Sequence, residues 1–317
     1  MFLALGLAAC SSMPTAEGAP VRVLYLSQSV GFVHDTARRP TDGLAPSEIA
    51  MQEMARDSGA FAVELTQDAR ELTAARLNDI DVLVFGTTGS LPIDRQTWSA
   101  IVDWIESGRG GFVGIHSAAD TALDFEGGQE AYTAFIGGRF DGHPWTQGTP
   151  IRLTNLERSH PLASMWPDGT DFAEEIYQYT AFEPDRVRVL QTLDMSAGPI
   201  RRPYPVPITW VREMGGGRLF YTNLGHTPST WADPRFRRQI VDAIRWSAHR
   251  LDAPAAANPA AQDWAALTAF AIVEGVPARA GSAGDIRDLQ ALHPEKHNGD
   301  TTAWDLARLR IRAASAK

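Results

Sequence analysis

The amino-acid sequence predicts an α/β protein with a doubly wound, mainly parallel sheet, and three observations support this. Short apolar runs typical of buried strands alternate with segments whose apolar residues recur at helical spacing. Glycines and polar turns separate the two kinds of segment. Parallel strands connected through helices need right-handed crossovers, which place helices against the faces of the sheet.

The amino-terminal half contains the clearest alternation of strands and helices. The predicted strands are residues 21–28, 61–67, 81–88 and 112–115. The predicted helices are residues 47–58, 71–78 and a third that begins after Asp94 and ends at Gly108. GRGG (108–111) precedes a strand instead of opening a helix, so we interpret it as a turn.

The pattern changes after Glu130, where one short helix leads into strand-like segments separated by Gly and Pro. These segments are residues 150–155, 159–163, 174–180, 187–194, 206–213 and 217–225. We interpret them as a β-rich, partly antiparallel insertion that precedes a last helix capped by Asp233.

Composition excludes several classes of function. The chain has 317 residues and a net charge of −9, which argues against a nucleic-acid partner because such proteins need a basic surface. No apolar run reaches the length of about 18 residues that a membrane helix needs. Neither G-x-G-x-x-G nor a P-loop follows a strand, so no nucleotide cofactor is expected.

The first residues predict the cellular location of the protein. Leu7-Ala8-Ala9-Cys10 is similar to the lipobox of bacterial lipoproteins, so residues 1–20 are expected to be a signal and tether, with Cys10 lipidated. The protein would then face the periplasm, attached to the membrane only through this lipid; without a functional signal it would be cytoplasmic. Cys10 is the only cysteine, which excludes an internal disulfide.

The rest of the chain divides into three predicted parts. These are a main domain (21–249), an Ala/Pro linker (250–260) and a small helical appendage (261–317) to which we assign no chemistry.

Candidate site residues follow the predicted strands. Five histidines lie at strand ends beside Gly, Pro or Asp: His34, His116, His143, His160 and His226. The carboxyl edge of a parallel sheet is where ligands bind, and neutral imidazole ligates metals and shuttles protons. The sequence therefore predicts a pocket that could hold a divalent metal such as Zn on His116, His143 and His226. Each histidine could equally be a hydrogen-bonded residue of the wall.

Several segments together resemble the ThuA-like (trehalose utilisation) family. They are GFVHD (31–35), GGFVGIHSAADT (110–121), GRFDGHP (138–144), SHP (159–161), EEIYQY (174–179) and RLFYTNLGHTPSTWADPRFRRQIVDAIRW (218–246). The resemblance covers about residues 21–249. It implies a class I glutamine-amidotransferase-like fold and a role in sugar utilisation beside dehydrogenases that make 3-keto-glycosides.

The chain departs from the family pattern at two places. The usual Asp-Glu pair before Ile-Tyr is Glu174-Glu175, and Val206 stands where a histidine is common. The resemblance also implies that glutaminase chemistry is impossible, because His116 occupies the elbow position at which amidotransferases have their cysteine.

The leading functional hypothesis is acid–base catalysis on a 3-keto-glycoside or related sugar. Glu175 is the predicted base, His116 or His226 the acid, and a His-bound metal or His34 the electrophile. The residues predicted to bind substrate are His34, Asp35, Ser117, Asp120, His143, Tyr177 and Trp231. Two alternatives remain: a non-catalytic sugar-binding lipoprotein, and a metal-dependent ester or amide hydrolase that uses Ser117.

Overall fold

The computed structural model describes residues 18–278, and their central feature is one nine-stranded sheet flanked by helices. The strands are β1 (Val21–Leu26), β2 (Phe61–Thr66), β3 (Val82–Phe85), β4 (Gly89–Leu91), β5 (Gly111–Ile115), β6 (Thr121–Leu123), β7 (Arg139–Phe140), β8 (Trp145–Asn155), β9 (Thr170–Ile176), β10 (Tyr179–Thr180), β11 (Arg188–Leu193), β12 (Pro207–Met214) and β13 (Gly217–Thr222). The helices are α1 (Pro46–Ser58), α2 (Ala74–Leu77), α3 (Arg95–Glu106), α4 (Gly128–Ile136), α5 (Pro228–Ala232), α6 (Pro234–Ser247) and α7 (Pro259–Glu274). Short 3₁₀ turns cover Ala69–Glu71, His116–Asp120 and Pro184–Arg186.

The order of strands in the large sheet is β2-β1-β3-β5-β13-β12-β11-β8-β9. The first five are mutually parallel, and the last four join by antiparallel pairing. The predicted β-rich insertion is therefore continuous with the main sheet. Four successive reversals return β9 to the direction of β13, so that β9 also ends toward the carboxyl edge of the parallel strands.

Helices cover both faces of the sheet, which confirms the doubly wound α/β fold. On one face Met51 of α1 and Phe236 of α6 belong to a continuous apolar core. On the other face Trp104 of α3 and Phe135 of α4 belong to a second core. All residues of β3 and β5 are buried, as expected for strands covered on both sides.

Two predicted helix caps are confirmed. The Asp94 side chain accepts a hydrogen bond from the amide of Thr97 at 2.7 Å. The Asp233 side chain accepts one from the amide of Arg235 at 2.8 Å. Each carboxylate satisfies an amide that the first helical turn leaves without a partner, and each favours the positive end of the helix dipole.

The strand predicted at residues 159–163 is wrong, because this segment forms turns. Pro161 lacks an amide hydrogen for a strand ladder, and the amides of Ala163 and Ser164 both donate back to the carbonyl of His160 at 2.9 Å. The apolar residues at 162 and 163 are buried within the core without belonging to a strand.

The carboxyl-terminal helix packs against the main domain. Helix α7 begins at Pro259, inside the predicted linker, and Gln262 ties it to the domain by donating to the carbonyls of Pro184 and Val187. The part of the predicted helical appendage after residue 278 and the predicted lipidation site Cys10 lie outside the described residues. Within residues 18–278, no helix has the length and apolar character needed to span a bilayer.

Candidate active site

Four strand ends bring their side chains to one place at the carboxyl edge of the sheet. His34 lies in the loop after β1, His116 directly follows β5, His226 lies four residues after β13, and Glu175 is near the end of β9. The chain leaves β1 for β2 on one side and returns to β3 on the other. A crevice at such a reversal is the usual ligand position in open α/β sheets.

His116 is held in a strained backbone conformation by β13 and the residue after it. Its φ of 48° lies in the left-handed region, which is uncommon for a residue with a side chain. The Tyr221 hydroxyl donates to the carbonyl of His116 at 2.7 Å. His116 Nδ1–H donates to the carbonyl of Asn223, also at 2.7 Å, which assigns the tautomer and leaves the Nε2 lone pair facing the site.

The Nε2 of His116 meets two other functional groups. His226 Nδ1 lies 3.1 Å from His116 Nε2 and 3.1 Å from Glu175 Oε1. Glu175 Oε1 is 3.6 Å from His116 Nε2. A proton on His226 Nδ1 is thus placed to donate to either neighbour.

His34 completes this group, and hydroxyls contact both of its ring nitrogens. Thr88 Oγ1 is 3.3 Å from Nδ1, and the Tyr177 hydroxyl is 3.2 Å from Nε2. Burial, followed by repulsion from His116 and His226, lowers the pKa of His34 to about 3. His34 is therefore neutral at physiological pH, which is the state in which imidazole binds a metal.

The two adjacent glutamates have opposite environments. Burial raises the pKa of Glu174, whose Oε2 accepts from the Gly225 amide and the Thr230 hydroxyl. Burial would also raise the pKa of Glu175, but the neighbouring imidazoles of His116 and His226 outweigh it and hold this pKa below its ordinary range. Glu175 is therefore the more acidic member of the pair, and Glu174 ties β9 to the segment after β13.

Ligand atoms of His34, His116, Glu175 and His226 all lie within 4.8 Å of one another; we call these four residues the His/Glu cluster. Two ligand atoms of a tetrahedral zinc ion lie about 3.3 Å apart, given bonds of about 2.0–2.1 Å. The separations of 3.1 and 3.6 Å within the cluster are close to this value. Three imidazoles and one carboxylate are also the donor types that Zn²⁺ prefers, so the residues fit a divalent metal.

The cluster differs from the predicted metal set of His116, His143 and His226. His34 and Glu175 belong to it, whereas His143 does not. His143 lies in the loop after β7, its side chain is 47% exposed, and its Nδ1 is 3.6 Å from Glu175 Oε2. It therefore stands at the mouth of the site, beside the carboxylate.

The structure distributes the other predicted substrate-binding residues unevenly. Ser117 and Trp231 are buried and line a small pocket beside His34 and His116, and the Trp231 indole donates to the Gly225 carbonyl at 2.8 Å. Tyr177 is buried with its ring 4.4 Å from that of His116. Asp35 is not part of this group: its side chain is 82% exposed and pairs with Arg38.

Asp120 ends the 3₁₀ turn that His116 begins, and it is partly buried. Burial raises the pKa of Asp120 to about 6, although His116, Arg139 and His143 oppose the shift. A carboxyl group with this pKa is partly protonated near neutral pH, so it can donate a proton as well as accept one.

Sequence reasoning missed Asn223 as a positioning residue. Its side-chain oxygen accepts from the Tyr177 amide at 3.1 Å and its side-chain NH₂ donates to the Tyr177 carbonyl at 2.9 Å. These two hydrogen bonds fix the end of β9, and hence Glu175, against the end of β13. The YTNLGHT motif contains Asn223, but no local pattern shows that its partner lies 46 residues away.

Comparisons with known proteins agree with this architecture. A ThuA-like protein from Bacteroides uniformis has 21% identity and a TM-score of 0.57, and the match covers 76% of this chain and 95% of that one. A ThuA-like protein from Parabacteroides merdae has 16% identity and a TM-score of 0.55, over 72% of this chain and 90% of that one. These likenesses support the fold, which is of the glutamine-amidotransferase-like type.

At the level of sequence, no curated protein matches this chain. The ThuA family model, described as trehalose utilisation, matches residues 22–247, which is most of the chain and includes the whole His/Glu cluster. The chain therefore belongs to the ThuA (trehalose utilisation) family.

Proposed function

We propose that this protein is a metal-assisted, sugar-modifying enzyme that acts on a 3-keto derivative of trehalose or a related glycoside. The observation that carries the proposal is the convergence of three imidazoles and one carboxylate at the carboxyl edge of the sheet. Membership of a trehalose-utilisation family supports a sugar as the substrate.

His34, His116, His226 and Glu175 would hold the metal. A divalent ion bound there would supply a Lewis acid for an oxygen of the substrate. The low pKa of Glu175 makes it a weak base and a good anionic ligand. Activity would therefore depend on His116, Glu175 and His226 as predicted, but as metal ligands and not as the acid and the base.

Proton transfer then falls to His143, at the mouth, and to Asp120, which is close enough to His116 and His143 for their charges to act on its carboxyl group. A ketone at C3 acidifies the hydrogen on C2, and His143 is proposed to remove this proton as the base. The electron pair forms a double bond between C1 and C2 as the C1–O bond breaks. Asp120, in its protonated form, gives its proton to the departing oxygen; reprotonation of carbon instead would yield an isomer.

The first test is the metal content of untagged protein purified without chelators, measured by inductively coupled plasma mass spectrometry. His116→Ala and His226→Ala are compared with His249→Asn, a matched control at an exposed histidine whose positive φ an asparagine tolerates. We expect one divalent ion per chain in the wild type and the control, and almost none in the two cluster variants.

The second test is turnover of 3-keto-trehalose by the same four proteins. Turnover that requires the cluster supports the proposal. A metal-loaded protein that binds the sugar without converting it would instead be a non-catalytic sugar-binding protein. Absence of metal from folded protein, even after zinc or manganese is supplied, would remove the Lewis acid from the proposal.

We propose that Cys10 carries a lipid, because Leu7-Ala8-Ala9-Cys10 is followed by two serines, as in lipoprotein signals. Cys10→Ser should move the protein from the membrane fraction to the soluble fraction of the producing cell. A dehydrogenase that oxidises glycosides at C3 is the class of partner that must supply the substrate.

A further inference from the structure

Phe32 is an exposed aromatic side chain at the rim of the His/Glu cluster. It is 66% exposed, more than any other large apolar side chain that the structure describes. It lies two residues before His34 in the loop after β1, and its ring meets the His34 ring edge-on with centroids 4.8 Å apart. Val30, on the same loop, is 40% exposed.

A second aromatic group borders the cluster from the segment that follows α4. The Phe140 ring lies 4.4 Å from that of Tyr177 and is nearly parallel to the ring of His143 at 5.9 Å. Tyr177 in turn contacts His116. Phe32 therefore borders the cluster at His34, and Phe140 borders it at His116 through Tyr177. A substrate that reaches the cluster therefore meets apolar rings as well as polar groups.

Sugar rings match such a surface because their C–H faces are apolar while their hydroxyls are polar. Covering an exposed phenyl ring with such a face removes apolar area from water on both partners. Binding sites for small molecules combine apolar and aromatic walls with a few polar groups in this way. Phe32 lies outside the four candidate ligands, so it is placed to contact a part of the substrate other than the reacting atoms.

We propose that Phe32 forms a second sugar subsite, and that the substrate is a glycoside with a further sugar unit that stacks on this ring. This inference rests on the proposed function, in which the His/Glu cluster is the reacting centre. The reacting sugar ring binds beside the cluster, and the sugar unit attached to it covers the Phe32 ring.

The test compares two substrates, 3-keto-trehalose and methyl 3-keto-α-glucoside, which differ in the second sugar unit. Phe32→Ala should lower the ratio of their kcat/KM values about tenfold, mainly through a higher KM for the disaccharide. Phe32→Trp should keep the ratio, because the indole also stacks. Trp264→Ala is the matched control, since Trp264 is a 56% exposed aromatic on α7, and should leave the ratio unchanged. An unchanged ratio in Phe32→Ala overturns the inference.

A binding measurement separates failure of this inference from failure of the proposed function. If the wild type converts neither substrate, the proposed reaction is wrong, and calorimetric titration with trehalose then decides the subsite. Binding that Phe32→Ala weakens about tenfold, and Trp264→Ala does not, supports the subsite. No binding by the wild type, or equal binding by all three proteins, overturns it.

Discussion

The elbow after β5 and the turn between β8 and β9 each bury a histidine, but the two histidines have different surroundings. His116 uses one ring nitrogen to bond a backbone carbonyl and directs the other at His226 and Glu175. His160 has backbone partners on both sides: its Nε2–H donates to the Pro254 carbonyl at 2.9 Å, and its Nδ1 accepts from the Leu162 amide at 3.2 Å.

This difference shows what separates a functional histidine from a structural one. Both follow strands and have a Gly or Pro within two residues, so sequence position does not distinguish them. The backbone uses the full bonding capacity of His160, whereas His116 keeps one nitrogen for a ligand or a proton. Burial lowers the pKa of His160, even though its bond to Pro254 opposes the shift, which fits a neutral side chain that ties two segments together.

The largest effect that would test the comparison is expected from His116→Ala. This change removes one of four candidate ligands, so turnover of a 3-keto-glycoside should fall by about 100-fold or more and the bound metal should be lost. The fold should survive, because alanine keeps the backbone carbonyl to which the Tyr221 hydroxyl donates and has a Cβ at φ 48° just as histidine does, so the backbone strain is unchanged. Circular dichroism and mass spectrometry of the same sample check both points, and a variant that simply unfolds would make His116 structural.

His160→Ala should have the opposite profile. It removes two buried hydrogen bonds and leaves a cavity, so the free energy of unfolding should fall by about 3 kcal/mol in urea titrations. Metal content and kcat should stay at the wild-type level. Loss of metal in a folded His160→Ala protein would contradict the distinction between the two regions.

The substitution Asp120→Asn tests whether this carboxyl group serves the reaction at a cost in the free energy of unfolding. Its pKa is about 6 in the folded protein, above the value of 3.8 expected for the unfolded chain. The contribution of the Asp120 carboxyl group to the free energy of unfolding is therefore complete below about pH 4, and it is lost as pH rises through 6. Asp120→Asn should therefore be more stable than the wild type by up to about 2 kcal/mol at pH 8, and equal to it at pH 4. Urea titrations at the two pH values check this.

The Asp120→Asn variant should also be less active, because the side-chain amide is not acidic enough to transfer a proton to a departing oxygen. Glu126→Gln is a control in an exposed part of a nearby loop and should change neither property. Equal stability of Asp120→Asn and wild type at both pH values would contradict the raised pKa.

Local patterns were sufficient to predict the elements around the elbow. The apolar run of β5 is bounded by glycines, and the caps at Asp94 and Asp233 are formed within one helical turn. Parallel strands share a carboxyl edge, so the approach of His34, His116 and His226 also follows from the order of elements.

The ligand set could not be predicted because it depends on contacts between distant segments. Glu175 reaches the cluster only because β9 returns to the common direction after four reversals and Asn223 binds the backbone of Tyr177. His143 and His160 lie in motifs like that of His116, yet one remains at the mouth and the other is satisfied by the backbone. No spacing in the sequence contains this information.

Tyr221→Phe is the smallest change that sharpens the comparison. It removes the hydroxyl that donates to the His116 carbonyl at 2.7 Å and contacts the Tyr179 hydroxyl at 3.1 Å, while keeping the ring. We expect a loss of about 1 kcal/mol in the free energy of unfolding, the value of a typical buried hydrogen bond. Because this bond holds the strained backbone of His116, metal affinity should fall as well, by about tenfold. Tyr132→Phe is the control, since its buried hydroxyl belongs to the core on the α3 and α4 face. If Tyr221→Phe lost stability but bound metal as tightly as the wild type, the elbow would be held by Asn223 alone.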